Sequence, residues 1–200
     1  MDAIKQFEEL KRLGKDKRLA ADGWDEDWKT LISILMSART KDTTTIPIAN
    51  ELFRRFDSIE KLAGADLEEI EEIIKGVNFY ANKSRHVKEC AQLLRDNYGG
   101  KVPLDFDKLV ELPGVGRKTA NVFLAVKGFG TIGVDTHVTY ISNYLGWTKS
   151  EKQEVVENDL KKLFPENYWK DLNWVLVRFG QTYPNWAEKN KLLDGIRRLG

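Results

Sequence analysis

Two hundred residues are enough for one large domain or two small interleaved ones, and a hydrophobic share of 42% supplies a substantial core. A formal net charge of +1 excludes a globally basic protein, so any contact with a polyanion has to come from local basic clusters and backbone groups. The single cysteine, Cys90, excludes an internal disulfide and cannot hold a metal cluster by itself, and no apolar run reaches signal-peptide or membrane-spanning length, so the expectation is a soluble protein of a reducing compartment.

Apolar residues recur at helical spacing almost throughout, and no alternating strand pattern competes with them. Ile4, Phe7, Leu10 and Leu13 mark a first short helix. Trp28, Leu31, Ile32 and Leu35 mark a second, and Ile48, Leu52, Phe53 and Phe56 a third. Ser58 and Asp66 read as N-caps of two short helices. A long helix is predicted from about Tyr80 to Tyr98, stopped by Gly99-Gly100, with Cys90 packed among Val87, Ala91 and Leu94 as a small hydrophobe. A short helix at about 105–112 precedes Pro113-Gly114. Further helices are predicted near 117–128, 135–145, 150–164, 166–180 and 185–198. Without repeats or Pro/Gly-rich linkers, this pattern describes an all-α globule of short helices and tight turns.

The stretch Leu112-Pro113-Gly114-Val115-Gly116-Arg117-Lys118-Thr119-Ala120 carries the most information. Two glycines around one apolar residue permit a tight turn and a close backbone approach. The first N–H groups of the helix that follows lack intrahelical acceptors, so with the turn they make a seat for a phosphate oxygen. Val115 and Leu112 are expected to tuck between the helices, and Ala120 to let them approach. Taken alone, two glycines between helices more often mark an ordinary corner.

Lys118 falls in the first turn of that helix and is a candidate amine nucleophile, although most helical lysines are simply solvated. Asp135, in Gly133-Val134-Asp135-Thr136-His137-Val138, precedes the apolar run Val138, Ile141, Leu145 and reads as an N-cap, a role compatible with chemistry. The helix from Lys118 to Gly128 climbs about 15 Å. Residues 129–134 can span up to ~20 Å. The chain can therefore return Asp135 to the end where Lys118 lies, so that amine and carboxylate face one cleft between two helical lobes. There the carboxylate would stabilise positive charge building on a sugar as its glycosidic bond breaks, and would help take a proton from the amine.

The block from the hairpin to the aspartate resembles the endonuclease III family of the helix-hairpin-helix DNA glycosylase superfamily, with likeness from about Trp24 to Gly180. The resemblance implies an all-α, two-lobed helix-hairpin-helix glycosylase fold with a DNA-binding cleft between lobes. One six-helix lobe (22–130) would include the hairpin; the other would join both termini (1–21 and 131–200). It implies that Gly114, Val115, Gly116, Arg117 and Thr119 grip the DNA backbone, that Lys118 attacks C1′, and that Asp135 assists, with His137 a candidate to orient it. Ser37-Ala38-Arg39-Thr40-Lys41-Asp42 resembles a loop carrying a gap-filling residue, here Arg39, where bacterial relatives commonly have glutamine. Val77-Asn78-Phe79-Tyr80 resembles a loop whose apolar residue, here Phe79, wedges between bases. Lys83, Arg85 and Lys88 are expected on the DNA side of the next helix.

The implied activity is that of a base-excision glycosylase with abasic-site lyase, acting on oxidised pyrimidines such as thymine glycol in double-stranded DNA, as a monomer in a prokaryotic cytoplasm. Alternatives are 8-oxoguanine, uracil or thymine opposite guanine, or a non-catalytic DNA-binding module. The tail departs from the family, whose members mostly hold a [4Fe–4S] cluster on four thiolates there. Here it reads Gly180-Gln181-Thr182-Tyr183-Pro184-Asn185-Trp186, so no metal and no cofactor is expected, with Tyr183, Trp186, Leu192 and Ile196 packing instead.

Overall fold

The computed structural model describes residues 2–199, and the regular structure among them is helical. Twelve helices follow in order among the described residues: α1 (Ala3–Leu13), α2 (Asp27–Ser37), α3 (Asp42–Arg55), α4 (Ile59–Gly64), α5 (Leu67–Ile74), α6 (Tyr80–Tyr98), α7 (Phe106–Val110), α8 (Arg117–Val126), α9 (Thr136–Leu145), α10 (Gln153–Leu163), α11 (Glu166–Thr182) and α12 (Trp186–Arg197). The chain divides into two compact units, residues 18–127 and residues 1–17 with 128–200. No helix among the described residues is long and apolar enough to cross a membrane.

The central unit holds α2 to α8. Its core is built on α2, where Leu31, Ile32 and Met36 are fully buried, and on one face of α6 carrying Val87, Cys90, Ala91 and Leu94. Trp24 and Trp28 meet Phe53 edge-on at 4.9 and 5.3 Å, a favoured aromatic geometry. Burial pushes the Cys90 thiol up to about 12, so it is an inert packing group, not a thiolate. Ser58 caps α4 by accepting from the Lys61 N–H, as its sequence position predicts, whereas Asp66 makes no side-chain cap at α5. The long helix α6 stops at Gly99 and Gly100, both left-handed at φ 58° and 77°, with the Gly100 N–H donating back to the Leu94 carbonyl.

The second unit joins α1 to α9–α12. Phe7 of α1 is buried edge-on to Tyr168 at 5.4 Å, and the buried Gln6 side chain accepts from Trp147 Nε1 at 2.6 Å. Polar groups buried in this way have to be paired, which fixes how α1 seats in its unit. Tyr183 packs against Phe179 and donates to the Leu13 carbonyl at 3.2 Å, and Ile196 is buried. Trp186 departs from the expected packing: it stands 60% exposed at the first position of α12, edge-on to Tyr140. Lys189 covers it instead, with its ammonium 4.7 Å from the indole centre, a cation–π contact.

Candidate functional site

The hairpin is set by packing from below and left open above. Gly114 takes φ 77°, a left-handed conformation that side chains rarely adopt. A Cβ there would lie 2.7 Å from the Cβ of His86 on α6 and 2.9 Å from Leu35 Cδ1 on α2. Val115 and Leu112 are buried at 4% and 2% and pin the turn, and Ala120 and Thr119 are buried on the inner face of α8. Gly116 is the N-cap of α8 in an extended conformation; it offers no side-chain cap, and a Cβ on it would meet nothing within 4 Å. The start of α8 thus presents backbone donors that no side chain of its cap covers, which suits an anion. Arg117 is half-buried with its guanidinium 5.3 Å from the Phe106 ring centre.

Lys118 is half-buried in the first turn of α8. A second lysine bears on it. Lys83, expected with Arg85 and Lys88 on the DNA side of α6, is buried instead, only 7% exposed. Its ammonium donates to the carbonyls of Met36 at 2.6 Å and Ala38 at 2.7 Å and to Thr40 Oγ1 at 3.1 Å. The attraction is physical: the last carbonyls of α2 have no intrahelical donors and carry the negative end of its dipole. Burial, and then the charge of Lys118, bring the Lys83 amine down to about 8.

The two predicted base-handling loops meet in the central unit. Arg39 and Phe79 are the two non-glycine residues with positive φ among those described, at 58° and 60°. Such a conformation costs an ordinary residue about 1–2 kcal/mol, so the surrounding bonds have to hold it. Those bonds are visible: the Asn78 N–H donates to Thr40 Oγ1 at 3.1 Å, and the Asn78 amide donates to the Arg39 carbonyl. Arg39 places its guanidinium 4.9 Å from the Phe79 ring centre, and Phe79 is 55% exposed. Asn78, Thr40 and Lys83 thus tie the two loops together, a part that no motif assigned them.

In the second unit Asp135 is half-buried and caps α9, its Oδ1 accepting from the Val138 N–H at 2.9 Å. The loop before it is fixed by the buried Asn173 of α11, whose side chain donates to the Gly133 carbonyl at 2.7 Å. Asn173 is a support that sequence reasoning missed. His137 lies with its ring against Gly180 of α11, where a Cβ would come within 2.2 Å of Nδ1. This contact holds the imidazole by shape, on the same unit as the capped carboxylate.

A helical fold whose glycine hairpin opens α8 defines the helix-hairpin-helix class of proteins. The family described as HhH-GPD superfamily base excision DNA repair protein matches residues 32–166. Endonuclease III of Thermotoga maritima is 41% identical over 158 residues, covering 78% of this chain and 74% of that protein. Endonuclease III of Bacillus subtilis is 35% identical, covering 77% of this chain and 71% of its own. A solved trapped endonuclease III–DNA covalent intermediate has the same fold, with a TM-score of 0.84, 31% identity, and coverage of 92% of this chain and 86% of that one. The chain belongs to the endonuclease III family of this base-excision repair superfamily, and its enzyme class is DNA glycosylase.

Family membership corrects one expectation. A protein without a cofactor was inferred from the missing tail cysteines, yet the endonuclease III relatives matched here are typically [4Fe–4S] proteins. This chain's residues do not fit such a cluster: Cys90 is its one cysteine, buried in the central unit, and no group of three or more His, Cys, Asp or Glu among the described residues is placed to hold a metal ion. Relatives and donor set disagree, and iron analysis of the purified protein decides between them.

Proposed function

We propose that the protein binds double-stranded DNA containing a damaged base or an abasic site, as a monomer, removes oxidised pyrimidines such as thymine glycol, and cleaves the remaining sugar by β-elimination. The observation that carries this reading is Lys118: a half-buried amine in the first turn of α8, immediately after a hairpin whose backbone donors no capping side chain covers. Gly114, Val115, Gly116, Arg117 and Thr119 take the DNA backbone, and Arg39 with Phe79 fills the space left by an everted nucleotide. Filling that space offsets part of the few kcal/mol that extrusion costs. The relative trapped as a covalent complex with DNA supports a covalent route in this chain too.

The proposed chemistry follows from an amine and a carboxylate. The Lys118 amine attacks C1′, and the base leaves with the electron pair of the glycosidic bond. The attacking nitrogen loses a proton, the C1′–O4′ bond breaks with its electron pair passing to O4′, which takes up a proton, and a protonated Schiff base remains at C1′. Loss of a proton from C2′ then expels the 3′ phosphate, and water releases the lysine. Asp135 stabilises the positive charge that develops on the sugar and accepts the proton from the amine; His137 helps keep it in place.

Borohydride trapping on duplexes bearing an abasic site or thymine glycol tests the proposal. A covalent adduct is expected from the parent protein and none from Lys118→Gln. An adduct that persists in Lys118→Gln moves the nucleophile elsewhere. Turnover of 8-oxoguanine or of uracil and thymine opposite guanine above that of thymine glycol replaces the proposed substrate.

A further inference from the structure

We propose that Lys83 is a positioning residue that fastens the loops 38–41 and 77–80 into one rigid wedge, acting on DNA only through Arg39 and Phe79. The inference rests on the wedge role given to those two residues above. Its basis is a closed set of bonds within the central unit. Lys83 Nζ reaches the carbonyls of Met36 and Ala38 at 2.6 and 2.7 Å, which fixes where α2 ends, and Thr40 Oγ1 at 3.1 Å. The same hydroxyl oxygen accepts from the Asn78 N–H at 3.1 Å, so one oxygen joins the lysine to both loops. Asn78 closes the set on the Arg39 carbonyl. The two residues at the apex hold left-handed backbones and stack on each other at 4.9 Å. Left-handed backbones at exposed non-glycine positions persist only where surrounding bonds hold them, and the Thr40 hydroxyl among those bonds leads back to one ammonium.

The ammonium form matters because three acceptors converge on it, and an ammonium has three N–H donors where the neutral amine has two. From α8 the charged group that faces it is Lys118; α2 and the following loop offer the two carbonyls and the Thr40 hydroxyl. With Lys83 near 8, the wedge is expected to loosen in mildly alkaline solution.

The test is insertion into DNA, read by 2-aminopurine fluorescence opposite a tetrahydrofuran abasic analogue, with the full-length protein and no chemistry. Arg39→Ala and Phe79→Ala should each lower the insertion equilibrium; if neither does, the wedge reading falls and this inference with it. Lys83→Met should lower it about tenfold, the scale of a lost hydrogen bond to a charged group. Thr40→Val, a change in a loop that spares the buried lysine, should act in the same direction. In a background carrying both Arg39→Ala and Phe79→Ala, adding Lys83→Met or Thr40→Val should cost nothing further, because each acts only through those two side chains. The parent signal should fall as pH rises through 8, while that of Lys83→Met stays level. Multiplying effects, insertion at the parent level in Lys83→Met and Thr40→Val, or equal pH slopes in parent and Lys83→Met would each overturn the proposal. If Lys83→Met does not fold, the cycle of Thr40→Val with Arg39→Ala and Phe79→Ala together decides it.

Discussion

The two glycines of the hairpin should separate folding from DNA binding. Gly114→Ala puts a Cβ on a backbone at φ 77°, 2.7 Å from the Cβ of His86 and 2.9 Å from Leu35 Cδ1. The left-handed conformation costs an alanine about 1–2 kcal/mol, and overpacking adds about 1–3 kcal/mol. The His86 contact is at the root of that side chain, so rotation cannot relieve it. The expected destabilisation is about 2–5 kcal/mol, or about 4–20 °C in melting temperature for a chain of this size.

Gly116→Ala meets no atom within 4 Å, and its backbone at φ −94° and ψ 177° is open to any residue. Reduced freedom of the unfolded chain stabilises by up to about 1 kcal/mol, and a poorer N-cap costs a similar amount, so the melting temperature should stay within a few degrees of the parent. The added methyl group stands where a phosphate would approach the start of α8. Affinity for a tetrahydrofuran duplex should therefore fall about tenfold or more, measured by fluorescence anisotropy at one fixed salt concentration. Parent-like melting of Gly114→Ala would refute the packing argument. Parent-like binding by Gly116→Ala would refute the hairpin as the phosphate seat.

Asp135→Asn keeps an oxygen for the Val138 N–H, so its melting temperature should match the parent while base release slows about a hundredfold or more in single-turnover assays. Asp135→Ala should lose the cap as well, at about 1 kcal/mol in denaturant melts. Gly180→Ala drives a Cβ to within 2.2 Å of His137 Nδ1 and should lower the melting temperature; His137→Ala in that background should recover part of the loss, and failure to do so would place the strain elsewhere. For Lys83, the folded amine sits near 8 and the unfolded one near 10.5. Between those values the unfolded chain binds the extra proton, so stability rises with pH in the parent relative to Lys83→Met, and below about 8 the difference is level. Urea melts across pH 7–10 measure that slope, and a falling difference would contradict the buried ammonium.

Much of this was legible in the sequence, for reasons that can be named. The helix starts at Tyr80 and Arg117, the stop at Gly99-Gly100 and the Ser58 cap rest on local chemistry, which does not depend on distant partners. The first turns of α3 were hidden because Thr43, Thr44, Thr45 and Pro47 interrupt the apolar spacing, although the helix begins at Asp42. Trp186 reads as core because tryptophan usually is, but at the first position of α12 it stands 60% exposed, edge-on to Tyr140 and beside the Lys189 ammonium. For Lys83 the sequence holds two opposed signals. It lies four and seven residues before Val87 and Cys90, on the face that α6 buries, so periodicity put it inside while its charge argued for the surface. What no pattern contains is that α2 ends in carbonyls aimed at that lysine, since this depends on two segments more than forty residues apart in sequence.

That arrangement also shows why a lysine occupies a place where a methionine would fit the core. An ammonium buried beside Lys118 raises the free energy of the folded state at neutral pH, which is what the lowered value near 8 expresses. Burial for stability alone would favour an apolar side chain. The ammonium offers direction instead: three donors fix the end of α2 and a hydroxyl that also holds the Asn78 N–H, and on this base two strained residues stand exposed. Strain at an exposed apex and a costly cation beneath it are paired features of one unit. Relaxing both, by Lys83→Met with Arg39→Gly and Phe79→Gly, should give a protein more stable than the parent at pH 7 that no longer inserts into DNA. A triple variant that melts below the parent would show that the cation stabilises this fold, and the argument from positioning would lose its physical ground.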